Sequence, residues 1–273
     1  TEKLANTTTL NQTYDDKYDV TSYKDNENIS TDYKYVNYTS TPENAVSGIV
    51  SQDVITVNYY YALKDEIINI KYIDELTGQS ISNEENIQTK YGVEYSSLNL
   101  DSYKKEITGY DYSKTETTPK DITGKVNQDT TTIIHYYKKK VSITINYIDK
   151  YTNAKISGIN SDVINNHYGD SYNTENNRTE KEKNTIFKEY DYANEYVITP
   201  ENTSLNGTIN NDKIVVNYYY NKKSKITIKY YDIETNKEIA KENVDSKVHY
   251  GDIYNVETKK IETEKEEIFK NYN

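Results

Sequence analysis

At 273 residues the chain has room for about two domains of average size, but only 34% of it is hydrophobic and 28% is charged. A net charge of −11 argues against nucleic acid and anionic membrane surfaces as partners, because both are bound through basic patches. The absence of cysteine excludes disulfides, Cys-based zinc sites and thiol catalysis, and no apolar run approaches the roughly 18 residues of a membrane-crossing helix.

In chain order, residues 1–13 are polar and read as the tail of an early strand. Tyr14-Asp15-Asp16-Lys17-Tyr18 follows, then a strand around Tyr33-Lys34-Tyr35, a Thr-Pro at Pro42, a glycine at Gly48, and a closing strand Val54–Tyr61. The next strand alternates, with Ile68, Ile70 and Tyr72 on one face, and a period of two with one apolar face marks a half-buried strand. It returns as Val141, Ile143, Ile145 and Tyr147, and again as Ile226, Ile228 and Tyr230.

These returns are a repeat. The opening tyrosine recurs after 75 and then 83 residues (72, 147, 230), and the closing tyrosine, aligned on Tyr59, Tyr136 and Tyr218, after 77 and then 82. Tyr-Gly-x-x-Tyr begins at Tyr91, Tyr168 and Tyr250, with Tyr14 as a degenerate copy, and the three prolines, Pro42, Pro119 and Pro200, occupy one repeat position. Fixed-period self-similarity outranks the length prior. Two complete units, 65–140 and 141–223, stand between partial units at 1–64, which lacks an opening strand, and 224–273, which lacks its closing half. The match of Lys188-Glu189-Tyr190-Asp191 by Lys270-Asn271-Tyr272-Asn273, and the lack of an initiator Met, make the chain read as a fragment of a longer protein.

Each opening strand meets a turn at Asp74–Gly78, Asp149–Asn153 and Asp232–Asn236. Gly78, Asn153 and Asn236 stand where a left-handed residue is wanted. A second strand runs through Ile81, Ile156 and Ile239. The polar middles, Ser96–Glu106 and Thr174–Lys188, are expected to form a short helix or loop, and two or three further strands follow. Two strands, a helix and further strands make a β-rich α+β unit, and that order suits a small β-grasp (ubiquitin-like) domain, with an immunoglobulin-like β-sandwich as the alternative. Short linkers such as Lys138-Lys139-Lys140 favour a monomeric, semi-rigid rod of units that touch only their neighbours.

The array resembles the MucBP (mucin-binding protein) repeats of Gram-positive surface adhesins. The resemblance is carried by the opening strand ending Tyr-Ile-Asp, the Tyr-Gly-x-x-Tyr mark, Gly109-Tyr110, the late glycine (Gly48, Gly124, Gly207) and the closing Tyr-Tyr strand followed by Lys. It covers nearly the whole chain. It implies the β-grasp fold and a secreted, wall-anchored adhesin that binds host mucin-type glycoprotein glycans; the alternative is a passive stalk that projects another adhesive domain.

No enzyme motif is present: no Gly-rich phosphate loop, no Gly-x-Ser-x-Gly, no His-Glu-x-x-His. No cofactor or metal is expected. His167 and His249 stand where other copies have Lys90 or Thr13, and His135 aligns with Asn58 and Asn217, so all three read as surface or strand filler. Asp74, Asp149 and Asp232 read as turn residues whose carboxylates accept from their own backbone, with cation ligation as the alternative. The ligand-binding expectation falls on Tyr60, Tyr137 and Tyr219. If Val57 and Val216 are buried, Tyr59 and Tyr218 join them and these three point outward, each with a flat apolar face and a hydroxyl for a sugar ring. The competing reading is that tyrosine is simply this chain's strand-forming aromatic. A further alternative is a Lys–Asn or Lys–Asp isopeptide crosslink, for which this composition singles out no pair.

Overall fold

The alternating segments become β-strands in a computed structural model that describes residues 3–184, 187–265 and residue 270. The expected counterpart of Lys188–Asp191 at 270–273 lies, apart from Lys270, outside the described residues. The backbone divides into two units, Thr1–Lys138 and Lys139–Asn273.

In the first unit, β1 (Lys17–Asp19), β2 (Tyr33–Thr41), β3 (Ser47–Ile49) and β4 (Thr56–Leu63) belong to the first repeat, with β1 antiparallel to β3 and β2 antiparallel to β4. The second repeat supplies β5 (Asp65–Asp74), β6 (Glu85–Lys90), β7 (Tyr110–Thr118) and the first part of β8 (Thr130–Asp149). β5 pairs antiparallel with β6 and parallel with β8, and β7 pairs with β8. Its polar middle forms two 3-10 turns, Tyr95–Leu98 and Leu100–Tyr103.

In the second unit the later part of β8 is followed by β9 (Ala154–Lys155), β10 (Asp162–His167), β11 (Ser171–Asn173), α1 (Thr174–Asn184), β12 (Tyr190–Thr199), β13 (Asn206–Thr208) and β14 (Lys213–Lys222). The strands lie side by side as β10–β8–β14–β12. The central pair β8–β14 is parallel and the outer pairings are antiparallel. A parallel pair needs a long crossover, and this one carries β10, α1 and β12. The fourth repeat adds the antiparallel pair β15 (Ile226–Tyr231) and β16 (Glu238–Asp245), then α2 (Glu257–Thr263).

The core lies on one face of each central pair. In the third repeat Ile143, Ile145 and Tyr147 of β8 pack with Ile214, Val216, Tyr218 and Tyr220 of β14, all at most 1% exposed. Helix α1 covers this face, although its sequence, TENNRTEKEKN, holds no apolar residue. Asn173 caps it, its Oδ1 accepting from the backbone N–H of Glu175 and Asn176 at 3.0 and 3.1 Å. The helix is held instead by the polar ends of tyrosines. Tyr220 donates to Glu182 Oε1 at 2.7 Å, and Arg178 donates to the same oxygen at 2.8 Å while its guanidinium lies 4.1 Å over the Tyr192 ring. Lys181 and the Tyr147 hydroxyl share Asp162 at 2.6 and 2.7 Å.

The joints between repeats are also built alike. Between the first and second, Lys64 N–H donates to Asp32 O and Tyr91 N–H to Lys64 O, and Asp65 sits between Lys34 and Lys90. These two lysines, Lys34 the stronger, hold Asp65 down at about 2. Between the third and fourth, Lys223 N–H donates to Glu189 O and Tyr250 N–H to Lys222 O. Here Asp191, the counterpart of Lys34, sits between Lys223 at 3.0 Å and His249 at 3.1 Å. Acid and base have changed places.

The register corrects one expectation. Tyr72 of β5 lies opposite His135, and Tyr147 of β8 lies opposite Tyr218. His135 is therefore the counterpart of Tyr218, not of Asn217, and Tyr136 is the counterpart of Tyr219. Tyr137 faces the core, 1% exposed, with its hydroxyl donating to Lys105 O at 2.8 Å. With a side-chain period of two, a slip of one residue moves a ring from one face to the other.

The register makes a direct prediction. Tyr137→Ala empties a core site and costs about 3–5 kcal/mol, in line with other large aromatic truncations, whereas Tyr136→Ala costs about 1 kcal/mol or less. Urea unfolding of the two variants beside the unaltered chain checks the difference; equal losses would contradict the register.

Candidate functional site

The face of each sheet opposite the core is where a partner can reach regular, repeated side chains. On β14 this face carries Val215, Asn217 and Tyr219, and on β8 of the third repeat it carries Thr144 and Asn146 opposite Val215 and Asn217. Val197 and Glu195 of β12 lie opposite Asn217 and Tyr219, and Val163 of β10 lies opposite Thr144. Val163 and Val197 are 59% and 49% exposed. Glu195 pairs with Lys150 at 2.7 Å.

Tyr60, Tyr136 and Tyr219 hold the equivalent position on the closing strands of the three repeats that have one. Tyr60 is 37% exposed, lies opposite Asn37, and accepts from Thr39 Oγ1 at 3.3 Å. Tyr219 is half-buried. Tyr136 is half-buried under Lys114, whose ammonium lies 4.9 Å from the ring centroid and is itself paired with Glu116 at 2.8 Å. Of the three tyrosines expected to face outward, Tyr60 and Tyr219 stand on this face and Tyr137 does not. Tyr136 was missed, and the interval between copies could have found it: aligning Tyr218 with His135 gives spacings of 76 and 83 from Tyr59, closer to the 75 and 83 of the opening tyrosine.

The turn aspartates are occupied by the backbone. Asp74 Oδ1 accepts from Leu76 and Thr77 N–H, Asp149 Oδ1 from Tyr151 and Thr152, and Asp232 Oδ1 from Glu234 and Thr235. Gly78, Asn153 and Asn236 close these turns at φ of 70°, 55° and 54°. Asp149 also accepts from the Tyr190 hydroxyl at 3.0 Å, and burial together with that carboxylate pushes Tyr190 up to about 12. Among the described residues no three His, Asp or Glu side chains converge as metal ligands would.

His135 is not surface filler. It is 4% exposed, its Nδ1 shares a proton with Thr115 Oγ1 at 2.7 Å, and its Nε2 is buried without a partner. Its ring lies 5.8 Å from that of Tyr72. Burial, reinforced by Lys104 and opposed by Asp101, lowers its pKa.

The MucBP domain model matches residues 1–62, 67–138, 142–221 and 225–273. Among solved structures, the chain is similar to the type 2 repeat of the mucus binding protein MUB from Lactobacillus reuteri, with 10% identity over 57% of this chain and 99% of that one, at a TM-score of 0.18. It is similar also to the crystal structure of Mub-RV, with 12% identity over 56% of this chain and 98% of that one, at a TM-score of 0.17. Likenesses this distant transfer no residue roles. Comparison with the curated proteins gives no match.

His135 generates a pH prediction. Its folded pKa lies below the unfolded value near 6.5, so the unfolded chain binds more protons between the two. The stability tied to the neutral imidazole is therefore full above about pH 6.5 and is lost as pH falls through the folded pKa. Urea midpoints of the unaltered chain should fall between pH 7.5 and 5, and His135→Phe should flatten that slope. An unchanged slope in the variant would assign the pH dependence elsewhere.

Proposed function

The chain belongs to the MucBP domain family, whose model matches four successive stretches of it, and from that membership we infer a mucus-binding adhesin displayed on a bacterial cell surface, its ligands the glycans of mucin-type glycoproteins. The division into four repeats, two complete and two partial, and attachment to the cell wall belong to the same reading. So does a β-grasp assignment for the complete units: the order β10–β8–β14–β12, the parallel central pair and the helix on the crossover support it.

The observation that carries the glycan reading is the recurrence of one outward tyrosine at the same strand position, Tyr60, Tyr136 and Tyr219. A tyrosine ring offers a sugar an apolar face, and its hydroxyl offers a hydrogen bond. A single such contact is weak. Repetition compensates, since linked modules raise avidity by roughly 10² to 10⁴ where geometry allows joint engagement. The net charge of −11 opposes sialylated and sulfated chains at long range, so neutral glycans are the favoured class. That repulsion fades as salt shortens the screening length to about 10 Å at 0.1 M.

Binding of the full chain to immobilised mucin, native and periodate-oxidised, tests the reading. Oxidation should abolish binding, Tyr136→Ala with Tyr219→Ala should weaken it at least about tenfold, and desialylated mucin should bind better at low salt. A folded chain with no affinity for native mucin would overturn the adhesin and leave a passive spacer. Full binding by the double variant would remove the tyrosines from the site.

A further inference from the structure

One row across the outward face of the third repeat is neutral and polar. Asn217 of β14 lies between Asn146 of β8 and Val197 of β12, and Ser161 stands beyond Asn146, just ahead of β10. Hydrogen bonds run along this row in a single direction. Lys155 Nζ donates to Ser161 Oγ at 2.9 Å, Ser161 Oγ donates to Asn146 Oδ1 at 2.6 Å, and Asn146 Nδ2 donates to Asn217 Oδ1 at 2.8 Å. Such a chain polarises each successive donor, and this one starts from an ammonium group. It ends at Asn217 Nδ2, whose two N–H groups have no partner among the described residues.

An aromatic ring and an apolar side chain flank that amide. Tyr219 follows two residues along the same face, about 7 Å away along the strand. Val197, roughly half exposed, lies opposite Asn217 and supplies apolar surface beside it. The same row in the second and fourth repeats is already satisfied by charge: Lys71 pairs with Glu84 at 3.4 Å in the second, and Lys229 with Glu242 at 3.4 Å in the fourth. The third repeat instead turns an amide donor with spare hydrogens toward solvent, and in the first repeat the counterpart Asn58 is likewise exposed.

We propose that this row is a subsite for an acetamido sugar, an N-acetylhexosamine within a neutral glycan. Asn217 Nδ2 donates to the acetamide carbonyl, the acetyl methyl rests on Val197, and the pyranose ring lies against Tyr219. The assignment rests on the adhesin reading and narrows it to the repeat whose amide ends a hydrogen-bond chain, and to one functional group.

Saturation-transfer NMR on the full chain tests it, with free N-acetylglucosamine and N-acetylgalactosamine compared with glucose and galactose. The acetyl methyl should receive the strongest transfer, and the sugars without an acetamide should give a signal at least about fivefold weaker. Asn217→Asp keeps the oxygen that accepts from Asn146 but removes both free N–H groups, and it should abolish the transfer while circular dichroism shows the fold retained. Val197→Glu should do the same from the neighbouring strand. Lys71→Ala, on the corresponding row of the second repeat, should leave the signal unchanged. Equal transfer to galactose, or full transfer in Asn217→Asp, overturns the subsite. If mucin binding by the unaltered chain survives that result, the adhesin reading stands without it; if the unaltered chain binds neither mucin nor sugar, both fall.

Discussion

A tyrosine ring can be buried as readily as any large side chain, but its hydroxyl must be buried with it, and an unpaired buried polar group costs about 1–3 kcal/mol. With 32 tyrosines, no tryptophan and two phenylalanines, this protein meets that condition at nearly every core position. Tyr72 reaches Glu85 and Tyr103 O, Tyr95 reaches Thr131, Tyr137 reaches Lys105 O, Tyr147 reaches Asp162, and Tyr218 reaches Thr174. Tyr103 O, Lys105 O and Thr174 lie in the segments that cover the sheet, and Tyr95 reaches down from such a segment to Thr131 of β8, so these hydroxyl contacts fix the segment above. This is why the covering elements need so little apolar surface. Helix α1 has none, and it is seated by Thr174, Arg178, Lys181 and Glu182 on the polar rims of four aromatic rings. The hydroxyls pay for their burial by orienting what lies over them.

The same condition separates what could be read in the sequence from what could not. The opening strands, the turns behind Asp74, Asp149 and Asp232, and the left-handed Gly78, Asn153 and Asn236 follow from local chemistry, and local chemistry is written in the residues themselves. The helix of the third repeat leaves little mark in the sequence because amphipathic periodicity is a signal about apolar residues, and α1 offers none. The 3-10 turns of the second repeat carry Tyr95 and Tyr103 in place of that helix. The outward face was legible in kind, as alternate positions of the closing strand, but not in register. Tyr136-Tyr137 presents two tyrosines where the other copies present three, and matching the first of the pair to Tyr59 and Tyr218 displaced the strand by one.

That displacement shows where the copies differ in substance. The core position opposite the opening tyrosine is Tyr218 in the third repeat and His135 in the second. Tyr218 satisfies its hydroxyl on Thr174, whereas His135 leaves Nε2 without a partner. The outward faces diverge as well, with an amide row in one copy and Lys–Glu pairs in others. A common backbone thus presents chemically distinct surfaces at regular intervals, and loops of unequal length absorb the change from a 75-residue to an 83-residue interval without disturbing the strands.

The joints carry a consequence for how such an array can change over generations. Tandem genes lengthen and shorten by recombination between copies, which places the end of one repeat against the start of another. At the first joint Lys34 meets Asp65, and at the last Asp191 meets Lys223. A crossover that joined the first repeat to the fourth would set Lys34 against Lys223, two ammonium groups where an ion pair had been. A crossover that set the third repeat before the second would bring Asp191 against Asp65. Like charges placed directly opposite are destabilising, so the exchanged charges act as a grammar of succession: they permit the present order of these repeats and penalise transposed ones.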